Sequence, residues 1–506
     1  MTEGRRQVVF FAGIAALLLY SFPYFEAIRS ANELPRVYLT QAIVDEGTFA
    51  IDSGVRRWGA TADVSPAGGH HYSNKAPGSS FLAIPGYLAL KGVKAVVGGE
   101  PSLAEMTWVA RVSTGVVPTL LFLRLFFQFL GRFVRDAGVR RLVVGAYALG
   151  TMAMTYSVLF IAHQLSAVCI ATGYILATRV VDDESDARWM FLAGLAAGMA
   201  PLVDYQAAFA GIPIAVYVVI RMVRRRQGII APVAWASAGA AIPVALLLIY
   251  HWKAFGSPWT TGYAASETFA HFHQRGFLGL DQFRVEALLG SMIAPDNGLL
   301  VFSPMVLLAV AGWAIMLKNP ETRGHGALTL AIVLLYVAFI SSLIFWRGGW
   351  QMGPRYITAM LPFAFIPVAV FAGAAERSWL LRGIVVATAL IGIAVYAISC
   401  AEFPHFPEKF KNPIYEVTFR LIRDGHAPYN AGWLLGLRGL ASLLPYLAGL
   451  LAFAGWLSMP SRNRVRSAAL GWGLAVLVIA GYSAFPGGGE RADVAYERWV
   501  AGVMPK

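Results

Sequence analysis

"FLAIPGYLALKGVKAVVG", residues 81–98, decides how this chain is threaded. Read as a membrane span, it would reverse the direction of every later segment. Pro85 and Gly86 interrupt its apolar run. Lys91 and Lys94 follow after about ten apolar residues, too few to cross a bilayer as a helix. Counting it as a span also places "GRFVRDAGVRR" (131–141) outside, whereas lysine and arginine collect in cytoplasmic loops. The stretch is therefore read as a juxtamembrane helix in the outer interface.

With that choice the later loops alternate consistently. Residues 8–20 follow Arg5 and Arg6 and lack a small-residue cleavage site, so they form an uncleaved first helix. Span 108–130 runs inward to the basic loop, 142–160 outward to His163, and 164–181 inward to "DDESDAR". Span 188–203 runs outward to Asp204, 206–222 inward to "RRRQ", and 229–250 outward to a long loop, 251–297. Span 298–317 returns, 326–346 exits at "WRGGWQMGPRY", and 357–374 re-enters. Span 382–399 leads to a second outer loop, 401–435, and 437–457 and 467–485 complete the set. The expectation is an all-α polytopic membrane protein of about 13 transmembrane helices with a cytoplasmic N-terminus.

Composition agrees. The chain has 506 residues, 57% of them hydrophobic and only 14% charged, far less charge than a soluble protein of this length carries. The apolar runs are continuous rather than alternating, which excludes a transmembrane β-barrel. The formal net charge of +13 fits basic cytoplasmic loops facing anionic lipid rather than a nucleic-acid partner. Cys169 and Cys400 are the two cysteines, and no CxxC or Cys/His spacing marks a zinc site. There is no internal repeat. One membrane domain covers 1–485, with a first outer loop at 30–107 and a short outer tail at 486–506.

Polar residues gather in four outer segments: 30–80, 251–297, 346–356 and 401–435. In the first, "ANELPRVYLTQAIVDEGTFAID" places Glu33 directly after the first span. Partial desolvation there is expected to raise its basicity, and Arg36, one helical turn on, is expected to orient it. Asp52 and Asp63 follow as further acids. "GHHYSNKAPGSSF" (69–81) offers Tyr72 and Lys75, a phenol and a compact cation suited to phosphate. Lipid-headgroup snorkelling is the alternative for Lys75. Arg347, Arg355 and Tyr356 lie in the 346–356 turn, where two outer arginines suit anion binding by a guanidinium fork, with interfacial anchoring as the alternative. His163 and Asp204 stand at two span mouths as substrate-binding candidates or helix caps. His271, His273, Glu267 and His405 have no spacing that specifies a metal.

These pieces resemble the C-type glycosyltransferases, the superfamily of protein O-mannosyltransferases and lipid A aminoarabinose transferases. The family's D-E-x-R-Y, Y-x-x-K-x-P and R-Y-x-x-P-x-x-P-like elements have counterparts in "ELPRVY" (33–38), "YSNKAP" (72–77) and "PRYITAMLPF" (354–363). The likeness covers most of the chain in topology and only these short pieces in sequence. It implies a GT-C fold and an integral membrane glycosyltransferase. The reaction implied takes a sugar from a polyprenyl-phosphate donor to an acceptor on the outer face, with inversion. Glu33 matches the catalytic acid, with Asp63 as the other candidate base. Lys75 matches the phosphate-binding lysine, and Arg355 and Tyr356 match the late motif. This chain has Glu where the family usually has Asp, and Asn32 where a paired acid stands. No cofactor is implied, and these residues do not require a divalent metal. The partners implied are the lipid donor, a protein, lipid or glycan acceptor and membrane lipids, in a bacterial inner membrane. The other readings are a lipid-linked sugar transporter or flippase, and a non-catalytic scaffold of this fold. A transporter carries midplane charges and inverted repeats, and Arg124, the clearest such charge, lies near an inner end.

Overall fold

The computed structural model describes residues 2–28, 30–182, 186–266, 268, 270–273, 275–276, 279–459 and 465–505. It opens with α1 (Glu3–Tyr20), whose N-terminus is capped by Thr2 accepting from the Arg5 amide. A compact segment follows: α2 (Leu34–Glu46), α3 (Asp52–Trp58), β1 (Val64–Ala67), β2 (His70–Ser73) and the apolar α4 (Gly78–Val97). Next come α5 (Leu103–Arg132), α6 (Ala137–Leu149), α7 (Met152–Val158), α8 (His163–Asp182), α9 (Ala187–Val203), α10 (Tyr205–Arg224) and α11 (Ile230–Phe255). After the short α12 (Val285–Met292) the bundle resumes with α13 (Pro304–Lys318), α14 (Arg323–Ser342), α15 (Arg355–Ala375) and α16 (Trp379–Glu402). It ends with α17 (Leu440–Ser458), α18 (Val465–Ala484) and α19 (Glu490–Ala495).

Ten helices among the described residues are long and apolar enough to cross a membrane, against the 13 expected. Nine lie where spans were expected, and the tenth is α4, read from sequence as interfacial. The difference has local causes. Glu3, Arg5 and Arg6 shorten the apolar run of α1. Segment 142–160 is two helices, α6 and α7, divided at Gly150 and Thr151. There the chain presses on α16, so that a Cβ on Gly150 would lie 2.9 Å from the Ile393 amide nitrogen. The Thr151 side chain then caps α7. The helices α9 and α13 are apolar but shorter.

The segment from α2 to α4 also differs from an all-α reading. Residues 64–73 form an antiparallel hairpin in which Val64 faces Ser73. Its turn is Gly68-Gly69, with φ of 57° and 81°, the left-handed pair a two-residue hairpin turn requires. Tyr250 of α11 donates to the Ser73 carbonyl at 2.9 Å, and Ser65 donates to the Gly262 carbonyl at 2.6 Å. Pro35 starts α2 and Gly47, at φ 65°, ends it. Residues 34–42 are buried all round, because α4 lies along one side and α3 along another. The lysines that argued against a span in α4 are paired. Lys91 lies 2.5 Å from Asp45 of α2, and Lys94 lies 2.6 Å from Glu105 of α5.

Helices in the bundle meet at glycines. A Cβ on Gly194 of α9 would lie 1.9 Å from the Ala236 carbonyl of α11, and one on Gly312 of α13 would lie 1.9 Å from the Pro367 carbonyl of α15. Small residues allow this backbone contact where lipid gives no hydrophobic drive. Gly194→Ala and Gly312→Ala are each expected to destabilise by about 1–3 kcal/mol, because the obstacle is backbone. Gly455→Ala, with nothing within 4 Å of its Cβ, is the neutral or slightly stabilising control. Inactivation rates of the detergent-purified variants at fixed temperature check this. The tail packs on the preceding loops: Arg420 pairs with Asp493 at 2.6 Å, and Trp499 packs on Trp350 at 5.6 Å.

Candidate functional site

The first turn of α2 carries Arg36, which is 4% exposed. Its carbonyl accepts from Thr40 and Ser80, each at 3.0 Å, and its guanidinium donates to the Asn32 backbone and, at 2.6 Å, to Asn32 Oδ1. Arg36 Nε has no partner. Lys75 lies just past β2, where the hairpin register sets Asn74 beside Asp63. The Lys75 ammonium is 3.0 Å from Asp63 Oδ2, Asn74 Nδ2 donates to Asp63 Oδ1 at 3.2 Å, and the ammonium sits 5.2 Å from the Tyr263 ring centre. Burial pulls the Lys75 pKa down to about 8. Asp63 raises it, while Arg36 and Arg355 add to the fall.

Arg355, the first residue of α15, lies 5.2 Å from the Tyr356 ring and also has an unpartnered Nε. Gly348, at φ 72°, lets the preceding turn close over it, since a Cβ there would lie 3.0 Å from Arg355 Nε. His163 opens α8, with Nδ1 2.7 Å from Asp204 Oδ2, and its ring stands across those of Tyr156 and Tyr356 at 5.2 and 5.9 Å. Gln206 donates to the same Asp204 oxygen at 2.8 Å. Burial pushes the Asp204 carboxyl up, but His163, Gln206 and Arg36 outweigh it and hold the pKa below its ordinary value.

These groups form one cluster. Arg36 lies within Coulomb range of Asp204, Asp63, Arg355 and Tyr263, and Lys75 within range of Arg36 and Arg355. Every one of the charged members is at least nine-tenths buried. Three cations, Arg36, Lys75 and Arg355, face two carboxylates, Asp63 and Asp204, so the described cluster carries at least one uncompensated positive charge. A buried excess charge is costly unless a counter-charge arrives. Two orphaned guanidinium N–H groups point to the same conclusion, because a buried donor left unmade costs about 1–3 kcal/mol. The cluster fits an anion.

Four expected residues lie elsewhere. Glu33 is not oriented by Arg36. Its carboxylate takes a bidentate fork from Arg111 of α5, with both contacts at 2.8 Å, and accepts the Phe160 amide at 2.6 Å. Burial pushes its pKa up, as expected from sequence, but Arg111, His405 and the Phe160 amide outweigh burial, so the carboxyl is a weaker base than an ordinary glutamate. Arg347 pairs with Asp296 and lies 3.9 Å from Glu408. Tyr72 packs on Phe255 at 5.8 Å, on the hairpin flank. Asp52 is held by His70 and His71 at 2.8 and 2.7 Å and ties the hairpin to α3.

Arg111 is the member that sequence reading missed. An arginine three residues into a span needs a carboxylate partner, which was the available signal. Beside the Glu33–Arg111 pair lies a cavity of about 240 Å³, lined among others by Tyr24, Trp58, Thr107 and His405. Burial, with Arg111 and Arg355 nearby, lowers the His405 pKa to about 4 against the pull of Glu33, so His405 is neutral at pH 7. Glu267 and the side chain of His273 lie outside the described residues. Among the described residues no group of three His, Cys, Asp or Glu side chains is arranged to hold a metal.

No protein-family model matches the chain, and no curated protein matches it. Among solved structures it is similar to ArnT from Cupriavidus metallidurans bound to undecaprenyl phosphate. The TM-score is 0.52 at 13% identity, covering 97% of this chain and 78% of that one. The apo state of the same protein gives a TM-score of 0.51 at 14% identity, covering 95% and 78%. At this identity the likeness is one of fold alone, an α-helical membrane fold like that of ArnT.

Proposed function

We propose that this chain is an integral membrane glycosyltransferase that moves a sugar from a polyprenyl-phosphate donor to an acceptor. The observation that carries this reading is the buried cluster of Arg36, Lys75 and Arg355 with its uncompensated charge. A donor phosphate supplies the missing negative charge. Arg355 and Arg36 offer planar N–H forks to its oxygens, and Lys75 a compact point charge. As the bond between sugar and phosphate breaks, negative charge grows on the leaving phosphate. Fixed cations in a water-poor site stabilise that charge more than the ground state. The similarity in fold to ArnT, crystallised bound to undecaprenyl phosphate, supports the same ligand class. In this proposal the N-terminus is cytoplasmic, the site faces the exterior of a bacterial inner membrane, and the anomeric carbon inverts.

The test is a transfer assay with the full chain in membrane vesicles and a panel of radiolabelled undecaprenyl-phosphate pentoses and hexoses. Label is expected to leave the donor with the wild-type chain and to stay there with Lys75→Ala. Donors left intact by the wild type across the panel would sink the proposal.

Binding should also depend on pH. The free-state Lys75 pKa of about 8 lies below the ordinary value of 10.5, so the ammonium loses its proton as pH rises through about 8. If the bound phosphate keeps Lys75 charged, each pH unit above that value weakens binding about tenfold. Undecaprenyl phosphate affinity is therefore expected to fall about tenfold from about pH 7 to about pH 9. Lys75→Arg, charged throughout this range, should bind without that slope. An equal slope in wild type and variant would remove Lys75 from the phosphate site.

A further inference from the structure

The phosphate cluster supplies the electrophilic half of a transfer; the acceptor hydroxyl must still lose a proton. The acids that sequence reading put forward are engaged. Glu33 is held by three donors, and Asp63 by Lys75 and Asn74. His163 is arranged differently. Asp204, ionised and therefore acceptor-only, takes the proton carried on His163 Nδ1 at 2.7 Å. The Gln206 amide nitrogen also lies 3.2 Å from Nδ1, but the shorter, charged contact to Asp204 sets the tautomer and leaves the Nε2 lone pair available. Nε2 has no hydrogen-bond partner although His163 is only 6% exposed. The ring stands against Tyr356, the neighbour of Arg355, and lies within Coulomb range of Arg355 and Arg36. An oriented imidazole with a free nitrogen, beside the cations that hold the leaving group, has the geometry of a general base with its orienting carboxylate.

We infer that His163, positioned by Asp204, takes the proton of the acceptor hydroxyl during transfer. This rests on the glycosyltransferase reading above and replaces Glu33 as the base. The acceptor oxygen bonds to the anomeric carbon, and the bond from that carbon to the phosphate oxygen breaks. Its electron pair leaves with polyprenyl phosphate, and the hydroxyl proton passes to His163 Nε2. Asp204 stabilises the imidazolium, which then returns the proton to water.

The groups facing the imidazole are Asp204 and Gln206 from the turn between α9 and α10, Tyr156 from α7, Arg355 and Tyr356 from α15, and Arg36 from α2. Gln206 carries no charge, and Asp204, Arg355 and Arg36 keep one charge state near neutrality. A pH limb in the rate that depends on position 163 therefore reports the imidazole.

The experiment measures release of ³²P-undecaprenyl phosphate from the donor panel by the full chain in vesicles that contain the acceptors. Binding of free ³²P-undecaprenyl phosphate is measured in parallel. His163→Gln is expected to slow release about 100-fold or more while binding stays within about threefold. Asp204→Asn should also slow release and shift the acid limb of the pH profile. His163→Gly, slow alone, should recover with added imidazole, a response that a purely structural histidine would not give. Two results would overturn the inference while leaving the function reading in place. One is release by His163→Gln within about threefold of wild type. The other is loss of binding in step with release and no rescue by imidazole. A wild-type chain that releases nothing from any donor overturns the function reading and the inference with it.

Discussion

Glu33→Gln is expected to destabilise the chain by about 3–5 kcal/mol, the usual penalty for removing one partner of a buried ion pair. Arg111 is 3% exposed and its Nε and one terminal nitrogen are both committed to the Glu33 carboxylate. The neutral amide leaves a buried guanidinium without its counter-charge and offers one oxygen where two were used. The Phe160 amide, at 2.6 Å from the carboxylate, loses a charged acceptor as well. Arg111→Met alone should be similarly damaging. The double variant Glu33→Gln/Arg111→Met should recover a large part of the loss, because no unpaired charge remains. Inactivation half-lives in detergent read all three. The pH sign follows from the depressed carboxyl. The pair's contribution is complete above the ordinary glutamate value of 4.5 and is lost only as pH falls through the lower folded value. Additive losses in the double variant would show that the two residues are not coupled.

Arg355→Ala is expected to weaken undecaprenyl phosphate binding about 100-fold while changing the stability of the free protein much less. Charge-assisted hydrogen bonds are worth about 1.5–3 kcal/mol each, and a guanidinium can offer two to a phosphate. In the free chain the same residue is only partly paired, hydrogen-bonded with Tyr356 and attracted by Asp63. It adds like charge beside Lys75 and Arg36, and its Nε has no partner. Arg355→Lys should restore only part of the affinity, since the fork is gone. Equilibrium binding of ³²P-undecaprenyl phosphate and inactivation rates on the same preparations separate the two effects. Parallel loss of binding and stability would mean that Arg355 is structural.

Lys75, Arg355 and Tyr356 were legible in the sequence because each sits in a short local motif beside an apolar helix. Arg36, His163 and Asp204 were legible as polar residues at helix mouths, where burial makes charge conspicuous. Their convergence was not legible, because it joins α2, the hairpin, α8, the turn after α9 and α15. The partner of Glu33 was hidden for a related reason. The spacing of three residues pointed to Arg36, but both side chains are buried, and partners 78 residues away offered a better fork. The hairpin turn at Gly68-Gly69 was present in the sequence, yet Pro66 and the polar residues of 70–73 carry little apolar alternation. The division of segment 142–160 depends on contact with α16, which no local pattern records.

In the proposed function the buried cations hold a polyprenyl phosphate. The most direct measurement is a cryo-EM structure of the full chain in lipid nanodiscs with undecaprenyl phosphate at saturating concentration. The prediction is density for the phosphate among Arg36, Lys75 and Arg355, with both orphaned Nε groups turned toward it. A lipid phosphate bound elsewhere while this cluster stays free of it would contradict the account.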